Sequence, residues 1–194
     1  MLQNKKYILT ELILLFFILP LLLASPLPIL VKVTPVLIGV LYSIVVTIKL
    51  KLVSLKSLFV INFKAHWKKI FITFVAIIIA TTFLMYFLQP ENLFLIVIKK
   101  PLLWIGVVFF YSIFSVYPQE LLYRSYFFNR YQSLFKNKNY LIFVNIIAFP
   151  VAHVFFKNEL VLLVTLIGGI FFSLTYFKSK SVLLTSIEHA IYGS

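Results

Sequence analysis

Uncharged apolar runs long enough to cross a lipid bilayer dominate this chain: residues 70–88 and 160–177 contain no Asp, Glu, Lys or Arg. About 20 such residues span the roughly 30 Å hydrocarbon core of a bilayer. Lipid admits only helices or closed barrels, because nothing in it satisfies a free backbone amide. Barrel strands alternate over segments of about ten residues. Here Leu, Ile, Val and Phe run unbroken, so helices are expected. Of the 194 residues 62% are hydrophobic and the mean hydropathy is +1.07, against roughly 45–50% apolar in soluble domains. The expected fold is all-α, a polytopic membrane helix bundle forming a single membrane domain over residues 1–194. No repeat, linker, low-complexity tract or glycine-rich phosphate loop interrupts it.

Seven crossings are expected, over about residues 8–24, 33–48, 70–88, 101–135, 140–156, 160–177 and 181–194. Ala24-Ser25-Pro26 makes a poor cleavage site, so the first is expected to stay as an uncleaved helix. Residues 49–69 read as a basic loop with an amphipathic piece on the membrane surface, His66 being interfacial. Pro118 could split residues 101–135 into two spans or kink one helix. Counting charges favours one kinked helix. Lys5, Lys6, Lys49, Lys51, Lys56, Lys64, Lys68, Lys69, Arg130, Lys136, Lys138, Lys178 and Lys180 then share one side, against Lys32, Lys99, Lys100 and Lys157. By the positive-inside rule that side, with the N-terminus, is cytoplasmic. The last span has fourteen residues, short of a full crossing, and is expected to end within the membrane. The net charge of +13 forms no aromatic-interleaved patch, so no nucleic-acid partner is expected. Anionic lipid is the better partner for it. Cysteine is absent, which excludes disulfides, thiolate metal sites and a Cys nucleophile.

Against this background Glu120 and Arg124 stand out, one helical turn apart in an apolar stretch. A charge at the bilayer centre costs a few kcal/mol on insertion scales, so intramembrane ionisable groups are functional candidates. His153 and His189 also lie in apolar segments. At about 1.5 Å rise per residue, Glu120, His153 and His189 lie roughly 22, 20 and 16 Å from the cytoplasmic ends of their helices. They could therefore share one site. A carboxylate there can act as a general base, and Arg124 can donate a fork of hydrogen bonds to it. Glu120, His153 and His189 could hold zinc with a position left for water. A metal-free arrangement, with the imidazoles stabilising an oxyanion, is equally open. The plainer readings are a structural Glu120–Arg124 pair and interhelical hydrogen bonds for each His. Glu188, about 100° around the helix from His189, reads as a supporting partner or a bundle ion pair. Tyr123 and Tyr192 are the aromatic residues worth testing.

At these positions the chain resembles the CAAX prenyl endopeptidase and bacteriocin-processing (CPBP, Abi) family of intramembrane proteases. That family's Glu-Glu-x-x-x-Arg motif is matched by Gln119-Glu120-Leu121-Leu122-Tyr123-Arg124. Its Phe-x-x-x-His motif is matched by Phe149-Pro150-Val151-Ala152-His153. Its third motif, His with Asn four residues on, is matched by His189 through Gly193. The likeness covers about residues 100–194. Gln119 replaces the first acid, Ser125 stands where Gly is usual, and Gly193 replaces the Asn.

The resemblance implies a glutamate-dependent intramembrane endopeptidase of a membrane-associated or lipidated protein or peptide. Glu120 would activate water, Arg124 would orient it, and His153 and His189 would serve as oxyanion donors or zinc ligands, with Gln119 beside them. The compact chain suggests a bacterial inner-membrane setting, and in a bacterium bacteriocin maturation or self-immunity is the expected role. The alternatives are a non-catalytic immunity or binding protein using the same pocket, and a proton-coupled transporter. The oligomeric state is not legible.

Overall fold

The computed structural model describes residues 2–54, 58–59 and 63–194. Among the described residues the main helices are α1 (Lys5–Leu23), α2 (Ile29–Lys49), α3 (Phe63–Leu88), a short α4 (Leu95–Lys99), α5 (Pro101–Leu134), α6 (Lys138–Val151), α7 (Glu159–Ser179) and α8 (Val182–Gly193). Six stretches are long and apolar enough to cross a membrane, the α6 stretch reaching Phe156. The protein is an all-helical integral membrane protein. The seventh expected crossing, α8, has twelve residues, about 18 Å of rise. It packs inward, burying Leu184, Glu188 and His189. Leu102, Leu30 and Ile98 lie outward among the exposed apolar residues, as lipid-facing side chains should.

Two expectations are refined. Helix α3 begins at Phe63, so His66, Lys68 and Lys69 belong to the span and not to a surface loop. No Gly or Pro separates them from Ile70, and long Lys stems lie along apolar surface while their heads reach polar partners. Lys69 Nζ donates to Thr175 Oγ1 on α7 at 3.0 Å. The amphipathic piece expected between 49 and 69, with Lys56, falls partly on residues 55–57 and 60–62, outside the described residues.

Residues 101–134 form one continuous helical stretch, as the charge count favours. Pro118 lacks the amide that would close its own turn. The helix accommodates it with a wide turn just before, Tyr111–Val116, where Tyr117 N–H donates to Ser112 O. A second wide turn covers Leu121–Tyr126. Such i→i+5 turns re-aim side chains and recur at functional sites. Between α6 and α7 the backbones come close: a Cβ at Gly169 would lie 3.0 Å from Ile146 O. The turn into α8 uses Lys180 in the left-handed region (φ 54°) and Ser181, whose hydroxyl caps Leu184 N at 3.1 Å.

The N-terminal helices are tied to α5 by a buried ion pair. Arg130 donates to Glu11 from Nε at 2.8 Å and from Nη2 at 2.6 Å. Tyr42, Tyr126 and Tyr131 hydroxyls add bonds at 2.6, 2.7 and 3.1 Å. Nearly every lone pair of the carboxylate is thus occupied. Removing one partner of such a pair strands the other charge, at a cost of about 3–5 kcal/mol. Glu11→Leu should therefore lower stability by about that amount, read as a fall in the thermal midpoint in detergent. An unchanged midpoint would show that the pair carries no stability.

Candidate active site

Glu120 sits in α5 between the two wide turns and is 0% exposed. Its Oε1 accepts from His189 Nδ1 at 2.9 Å, and its Oε2 faces Arg124 Nε at 3.2 Å. Arg124, also 0% exposed, donates from Nη1 to Asn145 Oδ1 at 2.6 Å. Its guanidinium lies 4.8 Å from the centroid of the Phe149 ring. Asn145 is held in turn: its Nδ2 donates to Tyr123 O at 2.6 Å, and Ser173 Oγ donates to its Oδ1 at 2.8 Å. A polar thread therefore runs from His189 on α8 through α5 to α6 and α7.

Phe149 explains why a large aromatic precedes the histidine of its helix by one turn. Its ring is buried and packs on Tyr123 (5.5 Å), His153 (4.9 Å), Phe172 (6.0 Å) and His189 (5.6 Å). His153, just past the end of α6, places Nδ1 2.8 Å from Phe149 O. A carbonyl only accepts, so Nδ1 carries the proton and Nε2 is left with its lone pair. His189 is analogous: beside a carboxylate paired with Arg124, its Nδ1 is the donor. Its Nε2 lies 3.4 Å from the Tyr111 hydroxyl, and its ring stacks on Phe172 at 4.3 Å.

These residues border a cavity of about 950 Å³. His153, His189, Gln119, Tyr111, Tyr123 and Tyr192 reach its wall, whereas Glu120 and Arg124 do not. The remainder of the wall is mostly apolar and includes α1, α2 and α3, through residues such as Leu19, Val40 and Ile77. The structure thus brings Glu120, Arg124 and His189 into direct contact and sets His153 against the shared Phe149 ring. The carboxylate expected to meet water stands behind an imidazole, because its desolvated charge is satisfied by Arg124 and His189.

The other expected residues divide. Gln119 Nε2 donates to Ser115 Oγ at 2.9 Å at the cavity wall. Tyr123 contributes its carbonyl to Asn145 and its ring to the core. Glu188 lies about a quarter-turn around α8 from His189, and the Tyr192 hydroxyl lies 3.1 Å from its Oε1 and 3.2 Å from Ile70 O. Thr175, which Lys69 contacts, also hydrogen-bonds Glu188. Glu188 and Tyr192 thus lock α8 to α3 and α7. Among the described residues no three His, Asp or Glu side chains gather as a metal ion would require. Glu120 is turned to Arg124 and His189 and lies off the cavity wall, away from the two Nε2 atoms.

Asn145, Ser173, Phe172 and Tyr111 escaped the sequence reading. Asn145 had a signal, as an amide in an apolar helix eight residues before His153. Tyr111 had none, being one tyrosine among eleven.

Comparison with known proteins adds to this geometry. The family model for type II CAAX prenyl endopeptidase, Rce1-like, matches residues 101–194. Those residues are similar to that family. The resemblance read from the three motifs is borne out, and the match supports a type II CAAX endopeptidase-like function. No curated protein and no solved structure matches the chain.

The Rce1-like region's polar thread should be sensitive at its centre. Asn145→Leu strands the Arg124 Nη1 donor, at a cost of about 1–3 kcal/mol, whereas the Ser173 hydroxyl keeps Gly169 O at 2.5 Å. The variant should unfold at lower temperature than wild type in detergent, while Asn139→Leu, on an exposed stretch of α6, should not. Equal midpoints for the two variants would remove Asn145 from the supporting framework.

Proposed function

We propose that the protein is a glutamate-dependent intramembrane endopeptidase that hydrolyses a peptide bond of a membrane-associated or lipidated protein or peptide. The observation that carries this reading is the 2.9 Å bond between His189 Nδ1 and Glu120, with the ring's other nitrogen toward an apolar cavity. A carboxylate behind an imidazole fixes its tautomer and stabilises the imidazolium that forms when the ring accepts a proton. His189 Nε2 takes a proton from water as the water oxygen bonds to the scissile carbonyl carbon. The same proton then passes to the departing amine nitrogen as the C–N bond breaks. Glu120 acts through His189, and Arg124, with Nε 3.2 Å from Oε2, holds Glu120 in place. The free Nε2 of His153 is available to align the water. The apolar wall suits a lipid-modified or hydrophobic segment, and no step is routed through metal.

The lysine distribution supports an N-terminus on the cytoplasmic face, and the compact chain suggests a bacterial inner membrane. Bacteriocin maturation or self-immunity is the proposed setting, following the wider family resemblance. One observation favours a second reading, a non-catalytic peptide binder. Gln119, at the cavity wall where the family motif carries an acid, is an amide that cannot accept a proton.

The test uses full-length protein in detergent and a fluorogenic peptide ending in S-farnesylcysteine followed by three residues. Wild type should cleave it. Glu120→Gln and His189→Gln should each lose on the order of 10²–10⁴-fold in kcat, the usual worth of a positioned acid–base group, and still bind the peptide. Phenanthroline should leave the wild-type rate unchanged. Cleavage surviving in both variants would remove the mechanism. Peptide binding without cleavage by wild type would establish the binder.

A further inference from the structure

The cavity wall needs a donor for the oxygen on which negative charge develops, and the two imidazoles do not supply one in their neutral form. Both Nδ1 atoms are committed, to Glu120 and to Phe149 O, and both Nε2 atoms carry lone pairs. Most hydroxyls at the wall are also committed. Ser43, Thr81 and Thr165 each donate to a backbone carbonyl one turn back, and Tyr192 bonds Ile70 O and Glu188. Tyr111 differs. Its hydroxyl lies 3.4 Å from His189 Nε2, a longer and weaker contact than the 2.9 Å bond on the other side of that ring. A donor held so loosely is readily exchanged for a better acceptor.

The position of that hydroxyl depends on Gly193. A Cβ built at residue 193 would collide with the Tyr111 hydroxyl and lie 3.1 Å from its Cζ. The Tyr111 ring stands edge-on to His189, 85° between planes and 6.3 Å between centroids. Any side chain at residue 193 would push the phenol off the imidazole. The glycine and the tyrosine form one device: the last turn of α8 is hollowed so that a hydroxyl from the first wide turn of α5 can enter.

We propose that Tyr111 is a catalytic residue of this site, its hydroxyl donating a hydrogen bond to the oxyanion in the space that Gly193 leaves open. The proposal rests on the endopeptidase reading above. At rest the hydroxyl donates to His189 Nε2. When water enters and gives its proton to that nitrogen, the acceptor is lost, and the carbonyl π pair moves onto the carbonyl oxygen. The Tyr111 O–H turns to that oxygen and donates a hydrogen bond without transferring its proton. As the intermediate collapses, the pair returns to the carbonyl, the C–N bond breaks, and His189 gives its proton to the amine.

The experiment compares wild type, Tyr111→Phe and Gly193→Ala as full-length proteins in detergent, with two readouts. The first is kcat and KM on the farnesylated fluorogenic peptide. Tyr111→Phe should lose roughly 10²–10³-fold in kcat, the usual cost of one oxyanion donor, with KM within twofold. Gly193→Ala should fall in the same direction, because it keeps the hydroxyl and displaces it. The second readout is the ¹⁵N spectrum of the histidine rings, with His189 assigned by its loss in His189→Gln. Its Nε2 signal should move in both variants. Tyr111→Phe cleaving as fast as an active wild type would overturn the donor role alone. A wild type that cleaves nothing while the Nε2 signal still responds would overturn the protease reading and leave only the contact. An unmoved Nε2 signal would overturn the contact itself.

Discussion

A carboxylate and a guanidinium fully withdrawn from solvent dominate the energetics of this molecule. Desolvating two charges costs several kcal/mol per ion, and mutual attraction offsets that only when the remaining lone pairs and protons also find partners. Glu120 and Arg124 meet this condition in part, with help from three other helices: Oε2 and Nε face each other at 3.2 Å without a hydrogen bond, and Nη2 has no partner. His189 on α8 supplies a donor to Glu120, and Asn145 on α6 supplies an acceptor to Arg124. Ser173 on α7 steadies Asn145. Phe149 and Phe172 cover the guanidinium with their rings. The packing of α6, α7 and α8 around α5 is thus the packing that keeps one ion pair satisfied.

Helix α5 is the spine of a second arrangement as well. Arg130, six residues beyond Arg124, turns to Glu11 of α1, which Tyr42 of α2 also holds, whereas Arg124 turns to the C-terminal helices. Two buried guanidiniums on one helix thereby join the N-terminal helices to the Rce1-like region. The consequence is functional, because α1, α2 and α3 supply much of the cavity's apolar wall. The region matched by the family holds the polar groups, and the preceding hundred residues hold much of the surface against which a hydrophobic chain would lie.

The all-helical class was legible from unbroken apolar runs, and the continuity of residues 101–134 from lysine distribution alone. Glu120, Arg124 and His189 were legible as one group because intramembrane charge is expensive enough to demand a partner. Which face of Glu120 meets water was not, because Gln119 and Glu120 are adjacent and helical spacing alone cannot say which points to a cavity. The wide turns that re-aim this segment leave no composition signature. Tyr111 was illegible for a related reason: its role depends on what is missing at Gly193, eighty-two positions away. The basic stretch before Ile70 read as a loop because lysines count against a span, although long aliphatic stems let Lys68 and Lys69 belong to one.

Placing the charge behind the imidazole resolves a conflict built into any hydrolytic site meant for a greasy substrate. An exposed carboxylate would hydrate the cavity and oppose entry of an apolar chain, since a charge is far costlier than a neutral ring beside hydrocarbon. A cavity without ionisable groups would have nothing to move a proton. Here the surface presented to the chain is imidazole, phenol and amide, and the Glu120 carboxylate lies one hydrogen bond behind it. In the proposed reaction the charge is felt only when His189 accepts a proton, at the moment when a neighbouring anion stabilises what forms. An apolar pocket and an acid–base pair can then share one wall because the ring separates them.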